Sequence, residues 1–184
     1  MANNKRNTYW FFKNVYSSNE IKFLNKELVK RITSEKDRPA SNITKTSSVN
    51  IVNPYKLELI DRVYNCLHVA NRHNFGYVLY GERIDMHYNV YSSKNKGEYA
   101  YHTDANFDNP ASDIKLTGIL NLSMEEYTGG KLYLNPFGNS FEVSELSQPG
   151  TMVIFPSFFL HKISPVLTGE RISLVLWGNG PKFQ

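Results

Sequence analysis

The sequence predicts an α+β fold, a β-sandwich or jelly roll braced by N-terminal helices. Three observations lead there. Apolar residues recur at helical spacing only within the first 75 or so residues, and from Gly76 onward the period drops to two. The later runs are short and many, and turn signals punctuate them at Asp108-Asn109-Pro110, Gly129-Gly130, Pro136-Phe137-Gly138-Asn139, Pro149-Gly150 and Thr168-Gly169. Helices followed by a series of strands segregate into layers rather than alternating, which favours α+β over α/β.

In chain order, Ser17-Ser18 ahead of "NEIKFLNKELVKRI" reads as a capped amphipathic helix with Ile21, Leu24, Leu28 and Ile32 on its apolar face. The segment "RPASNITKTSS" reads as a loop and "VNIV" as a short strand. Pro54 is placed to start a second helix running to about Arg72, with Leu57, Ile60, Tyr64 and Leu67 as its stripe. In "RIDMHYNVY" Ile84, Met86, Tyr88 and Val90 alternate with Asp85, His87, Asn89 and Tyr91. The second set is polar and aromatic, as expected either of a wet interior or of a solvent-facing sheet. "KLTGILNLS" sets Leu116, Gly118, Leu120 and Leu122 against Thr117, Ile119 and Asn121, and strands are expected at "GKLYLNP", "SFEVSE", "GTMVIFP", "LHKISPV" and "RISLVLW".

With 184 residues, no internal repeat and no linker-like tract, the chain is expected to form one domain, helical over about 1–75 and sheet-built over about 76–180. The most apolar run, "MVIFPSFFL", is too short to span a bilayer and contains a proline, so no membrane partner is expected. The N-terminus lacks the apolar region of a secretory signal, and Cys66 is the single cysteine, which suits a reducing cytoplasm. The formal charge of +4 is uneven: residues 1–46 carry ten basic and four acidic side chains, residues 47–184 eleven and thirteen. Such a basic segment can attract a polyanion, but Lys22, Lys26 and Lys30 recur at helical spacing, as on the solvated side of a helix.

The stretch "GEYAYHTDANFD" carries His102 and Asp104. Residues two apart on a strand share a side, roughly 6.5–7 Å apart at Cα, so both can reach one ion through bonds of about 2 Å while Thr103 faces away. His161, where the apolar run "FPSFFL" ends, is the best-placed third ligand. Two histidines and one carboxylate with open positions suit non-haem Fe(II), although a lone His-x-Asp pair is more often structural than a ligand. Arg171 lies ten residues beyond His161. A hairpin closing at Thr168-Gly169-Glu170 would pair Arg171 with Leu167 and put His161, Arg171, Ser173, Val175 and Trp177 on one side, a parity that a two-residue loop would reverse. An unpaired arginine inside a barrel costs on the order of 3–5 kcal/mol. It must therefore lie at the surface, pair with a residue such as Asp85 or Glu98, or meet the carboxylate of a cosubstrate.

The stretches "YNVYSSKNKGEYAYHTDANF", "LNLSMEEYTGGKLYL" and "PGTMVIFPSFFLHKISPVLTGERISLVLW" together resemble the 2-oxoglutarate- and Fe(II)-dependent dioxygenases, in their prolyl 4-hydroxylase-like branch. The resemblance covers roughly residues 76–180. It implies a double-stranded β-helix (jelly roll), iron ligation by His102, Asp104 and His161, and a grip by Arg171 on the distal carboxylate of 2-oxoglutarate, with Ser173 adding a hydroxyl. Tyr91 and Asn89 match an Asn-x-Tyr pattern before the iron motif, and Trp177 an aromatic wall of the cosubstrate pocket. Asn121 stands where animal prolyl hydroxylases carry a tyrosine, which puts that contact in question.

The implied cofactors are Fe(II), 2-oxoglutarate and O2, with ascorbate as an accessory reductant. The implied reaction couples oxidative decarboxylation of 2-oxoglutarate to hydroxylation of a C–H bond, in a peptidyl prolyl residue or else a free amino acid or small metabolite. Asp104 keeps the carboxylate ligand in place, which favours hydroxylation over halogenation. A nucleic-acid demethylase would carry a second arginine at the position of Trp177, which disfavours nucleic acid as a partner. A non-enzymatic jelly-roll binding protein is the alternative from another class. Residues 92–100 and 106–113 are expected to form a substrate lid.

Overall fold

The computed structural model describes residues 7–35, 45–53, 55–81, 86–105 and 111–183. In chain order it runs β1 (Trp10–Phe12), α1 (Ser18–Val29), β2 (Ile32–Glu35), β3 (Ser48–Val52), α2 (Asp61–Ala70), β4 (Met86–Ser92) and β5 (Tyr99–His102). Then follow β6 (Asp113–Asn121), β7 (Thr128–Gly129), β8 (Leu132–Asn135), β9 (Phe141–Glu142) and β10 (Met152–Pro156). The chain closes with β11 (Leu160–Ile163), β12 (Val166–Thr168) and β13 (Glu170–Gly180).

The strands form a seven-stranded sheet in the order β1-β10-β6-β13-β4-β3-β2, a four-stranded sheet β5-β11-β8-β9, and the pair β12-β7. All the pairings are antiparallel. This is a jelly roll with helices on one side, as the sequence predicts.

Alternation along the central strands makes the large sheet two-faced. Its outer face, with Met86, Tyr88, Leu116, Leu120, Met152, Ile154, Leu174 and Leu176, packs on Ile21, Leu24 and Leu28 of α1 and Val63 and Leu67 of α2. Gly178 lets α2 come close, since a Cβ there would stand 3.0 Å from Leu67 Cδ2. The inner face, with Tyr91, Ile119, Val153 and Phe155, packs on Leu132, Leu134 and Ile163 of the small sheet. Fully burying each such aliphatic side chain contributes about 1.5–3 kcal/mol.

The first helix begins where its cap predicts. The Ser17 side chain accepts from the Glu20 N–H, and the Glu20 carboxylate accepts from the Ser17 N–H at 2.8 Å, closing a capping box. Lys22, Lys26 and Lys30 are exposed, so the basic spacing is a solvated helix side. Ile32, expected on this helix, instead opens β2. The second helix starts at Asp61, later than expected. Lys56 (φ 56) and Leu59 (φ 71) adopt left-handed conformations that a right-handed helix cannot contain, yet Leu57 and Ile60 are still buried. It ends in a π-turn over Asn71–Phe75, capped by left-handed Gly76. Pro54 and the start of the expected 84–91 strand lie outside the described residues, as do residues 106–110 of the second expected lid segment.

The hairpin expected at residues 168–170 does not exist. Strand β12 pairs with β7, and Arg171 pairs with Tyr91 of β4 rather than with Leu167. The chain changes sheets here, and left-handed Gly169 sits where a Cβ would come within 2.5 Å of the Glu126 carbonyl oxygen. His161 and Arg171 therefore lie on facing sheets, not on one.

Leu120 is fully buried between the large sheet and the helices. Leu120→Ala is expected to lower unfolding free energy by about 2–5 kcal/mol in urea denaturation, through lost contact and a residual cavity. Leu167→Ala, at a mostly exposed position, should stay within about 0.5 kcal/mol of the parent.

Candidate metal centre

The inner face of the large sheet is polar along one diagonal, and register fixes which residues meet. On β13, Arg171, Ser173 and Val175 lie opposite Tyr91, Asn89 and His87 of β4, while Ser173, Val175 and Trp177 lie opposite Asn121, Ile119 and Thr117 of β6. Asn89 and Tyr91 are buried, so the polar face of the 86–91 strand belongs to an interior and not to solvent.

Facing it, His102 of β5 and His161 of β11 are direct cross-strand partners with ring centroids 4.1 Å apart. Asp104 lies two residues past the end of β5, held there by its N–H donating to the Ser157 carbonyl at 2.9 Å. One carboxylate oxygen lies 3.5 Å from His102 Nε2 and the other 3.7 Å from His161 Nε2. Thr103 is exposed, as expected.

Both imidazoles are oriented through their other nitrogen: His102 Nδ1 lies 2.9 Å from the Ala100 carbonyl and His161 Nδ1 2.9 Å from that of Phe159. An Nδ1–H donated to a carbonyl leaves the Nε2 lone pair pointing at Asp104. Burial lowers the His161 imidazolium to about 4 despite the opposing pull of Asp104, so the ring is neutral at neutral pH. Burial pushes the Asp104 carboxyl up, but the two histidines and the Trp177 N–H outweigh it and hold it well below the usual carboxylate range. With His161 neutral, the anion rests on direct donors. Asp104 Oδ2 accepts from Thr117 Oγ1 at 2.7 Å and from Trp177 Nε1 at 3.0 Å. The three ligand atoms lie within 4.8 Å of one another, a set of two imidazole nitrogens and one carboxylate that can hold a metal ion.

These side chains border a cavity of about 120 Å³, also lined by Lys45, His87, Asn89, Tyr91, Tyr99 and Trp177. Tyr99 stacks on His102 with centroids 3.5 Å apart. Arg171 is 1% exposed. Its Nη1 donates to Ser173 Oγ at 3.0 Å, its guanidinium carbon lies 5.3 Å from the Tyr91 ring centre, and its Nη2 has no partner among the described residues. It forms no ion pair with Glu98 or any other described carboxylate; Asp85 lies outside the described residues. Arg171 and Ser173 do not line this cavity; Arg171 borders a neighbouring hollow of about 540 Å³, lined also by Gly129 and Gly130.

Not every expected residue reaches this cavity. The Asn121 amide donates to the Leu146 carbonyl at 2.8 Å and the Ser147 carbonyl at 3.2 Å, while its Oδ1 accepts from the Ser123 N–H at 2.9 Å. It fastens a turn and does not line the cavity. Trp177 lines it, but its indole N–H is spent on Asp104. Thr117, Tyr99 and Lys45 were not picked out by sequence. Thr117 was legible only as the polar member of its alternation, and Lys45 only as one lysine in a basic segment.

A jelly roll whose facing sheets converge two histidines and an aspartate defines a class of metal-binding β-barrel proteins. Residues 86–179, just over half of the chain, match the profile of the 2OG-Fe(II) oxygenase superfamily, and the chain belongs to that superfamily. A PKHD-type hydroxylase of Alteromonas mediterranea is 36% identical over 87 residues, covering 43% of this chain and 37% of that protein. One of Shewanella frigidimarina is 35% identical over 88 residues, with 44% and 37% covered. The match thus spans little more than a third of the length of these curated relatives. Among solved structures, a Pseudomonas putida prolyl-4-hydroxylase superposes with a TM-score of 0.70 at 20% identity, covering 95% of this chain and 94% of that one. A viral collagen prolyl hydroxylase from Paramecium Bursaria Chlorella virus-1 gives 0.69 at 17% identity, with 95% and 97% covered. These two likenesses speak to the fold. Among the described residues no helix is long and apolar enough to cross a membrane.

Removing a donor to Asp104 leaves the carboxylate less firmly aimed. Thr117→Val and Trp177→Phe are each expected to weaken metal affinity 10–100-fold in titrations with Fe(II) or Co(II), with little change in far-ultraviolet dichroism. Unchanged affinity in both variants would show that these donors do not support the ligand.

Proposed function

We propose that the chain is a 2-oxoglutarate- and Fe(II)-dependent hydroxylase, a single oxygenase domain acting on a prolyl or prolyl-like C–H bond. The observation that carries this reading is the buried Nη2 of Arg171, without a partner among the described residues, on the sheet that faces the His102–Asp104–His161 cluster. A buried guanidinium left unpaired is strongly unfavourable, and an anionic cosubstrate supplies the missing partner. Family membership and the PKHD-type hydroxylase relatives support the same chemistry.

In this reading His102 Nε2, His161 Nε2 and a carboxylate oxygen of Asp104 would hold ferrous iron beside the cavity. Bound iron, 2-oxoglutarate and O2 together supply C–H oxidation coupled to release of succinate and carbon dioxide, with ascorbate as an accessory reductant. The protein's part is placement. Ala100 and Phe159 carbonyls fix the imidazole orientation, while Thr117 and Trp177 hold Asp104 as an anion. Arg171 and Ser173 receive the distal carboxylate of the cosubstrate, with the Tyr91 ring as the wall between. Asn89, on the cavity wall, has a buried Oδ1 without a partner among the described residues and can accept a donor from bound ligand. The buried side chains around the cluster limit water access to the reacting centre. The single cysteine, Cys66, free and buried, accords with action in the cytoplasm.

Anaerobic reconstitution with Fe(II) followed by 2-oxoglutarate should give a visible metal-to-ligand charge-transfer band, absent from His102→Ala. A band of equal strength in His102→Ala, or none in the parent, would sink the assignment. Arg171→Met removes one side of a buried charge pair, worth about 2 kcal/mol or more. It is expected to weaken 2-oxoglutarate binding at least about thirtyfold while iron binding persists.

A further inference from the structure

Lys45 is a second cation on the cavity wall, and neither the iron ligands nor the cosubstrate grip accounts for it. The backbone of Lys45 forms an isolated antiparallel bridge with Tyr99, whose ring stacks on His102. The ammonium lies 4.1 Å from the centre of that Tyr99 ring. It has no hydrogen bond and no ion pair among the described residues, and Asp104 affects it only at longer range. The setting is unusual for a lysine, whose charge is ordinarily carried out to water. Here the side chain is only partly exposed and borders the cavity of the His102–Asp104–His161 cluster. Burial lowers its pKa to about 8, partly offset by Asp104, so it is still mostly charged at neutral pH. A cation held against an aromatic face on the wall of a cavity favours an anion brought to it.

The cosubstrate does not fill this role. Its two carboxylates are taken in the reading above, one by Arg171 and Ser173 and one at the metal. Arg171 and Lys45 also sit on different strands, β13 and the bridge to β5, rather than forming one fork.

We infer that Lys45 binds a carboxylate of the compound to be hydroxylated, so that the substrate class is an acid: a free amino acid or a chain-terminal residue, rather than an internal residue of a neutral peptide. This rests on the hydroxylase reading and narrows its substrate. Lys45 acts as a specificity-determining contact, gripping the acid group while the C–H bond faces the metal. The Asn89 Oδ1 on the same wall is free to accept from an amino or imino group of such a substrate.

Calorimetry on protein loaded with Mn(II) and 2-oxoglutarate tests this with matched pairs, L-proline against L-prolinamide and N-acetyl-glycyl-proline against its C-terminal amide. At least one acid is expected to bind tenfold or more tightly than its amide. Lys45→Met, which keeps the apolar stem against Tyr99, should erase the difference, and Lys45→Arg should restore part of it. Equal binding of acids and amides, no binding by either acid, or an acid preference that survives Lys45→Met would overturn the inference. A loss of 2-oxoglutarate affinity in Lys45→Met would overturn it as well, by assigning the residue to the cosubstrate. Failure of the parent to bind Mn(II) or 2-oxoglutarate would count instead against the hydroxylase reading itself.

Discussion

A carboxylate held between two imidazoles, inside a barrel of apolar side chains, is the constraint around which the rest of the structure is arranged. Asp104 is buried enough that its charge needs local compensation, and each element near it supplies some. The cross-strand pairing of β5 with β11 brings His102 and His161 together, and the turn at Ser157 pins the Asp104 backbone. From the opposite sheet, Thr117 and Trp177 reach across to one carboxylate oxygen. The two sheets are therefore joined by apolar packing and also by polar contacts that hold only if their relative placement is correct. That makes the site a reporter of the sandwich: a shift of either sheet breaks its geometry before it disturbs the core.

The helices matter to this site only indirectly. They cover the outer face of the large sheet and leave the inner face free to be polar. Residues 86–91 show the division at one strand: Met86 and Tyr88 join the helix-facing core, while His87, Asn89 and Tyr91 turn inward. Without α1 and α2 both faces would compete for apolar residues, and an interior with several polar groups would lack a stabilising layer to offset it.

Local patterns were legible in the sequence and distant pairings were not. The Ser17 cap, the alternation of residues 86–91 and 116–122, and the His-x-Asp spacing each depend on neighbours a few residues apart. The hairpin expected at 168–170 does not form: Gly169 is left-handed (φ 71), as a turn glycine would be, but the sheet that each flank joins is set by contacts with Thr128, Gly129 and Tyr91. Arg171 still faces inward, but by pairing with Tyr91 of β4 and not through a hairpin with Leu167. Asn121 shows the same limit from the other side. Its position on the inward face was readable, whereas the turn at Leu146 and Ser147 that consumes its amide lies 25 and 26 residues away. Trp177 could be placed on the right face, but no spacing rule says that its N–H reaches Asp104.

Arg171 and Lys45 differ in how they are held, and that difference separates the roles proposed for them. Arg171 is locked: it is almost wholly buried, tied to Ser173 and packed beside Tyr91, with one nitrogen left for a partner. A planar fork fixed in this way suits a ligand whose carboxylate always arrives in the same place. Lys45 is a point charge on a flexible stem, held at the rim by an aromatic face and a single backbone bridge. Such a contact tolerates acids of different size and can adjust as they enter. In the proposed hydroxylase the rigid grip would take the invariant cosubstrate and the adaptable one the acid group of the substrate.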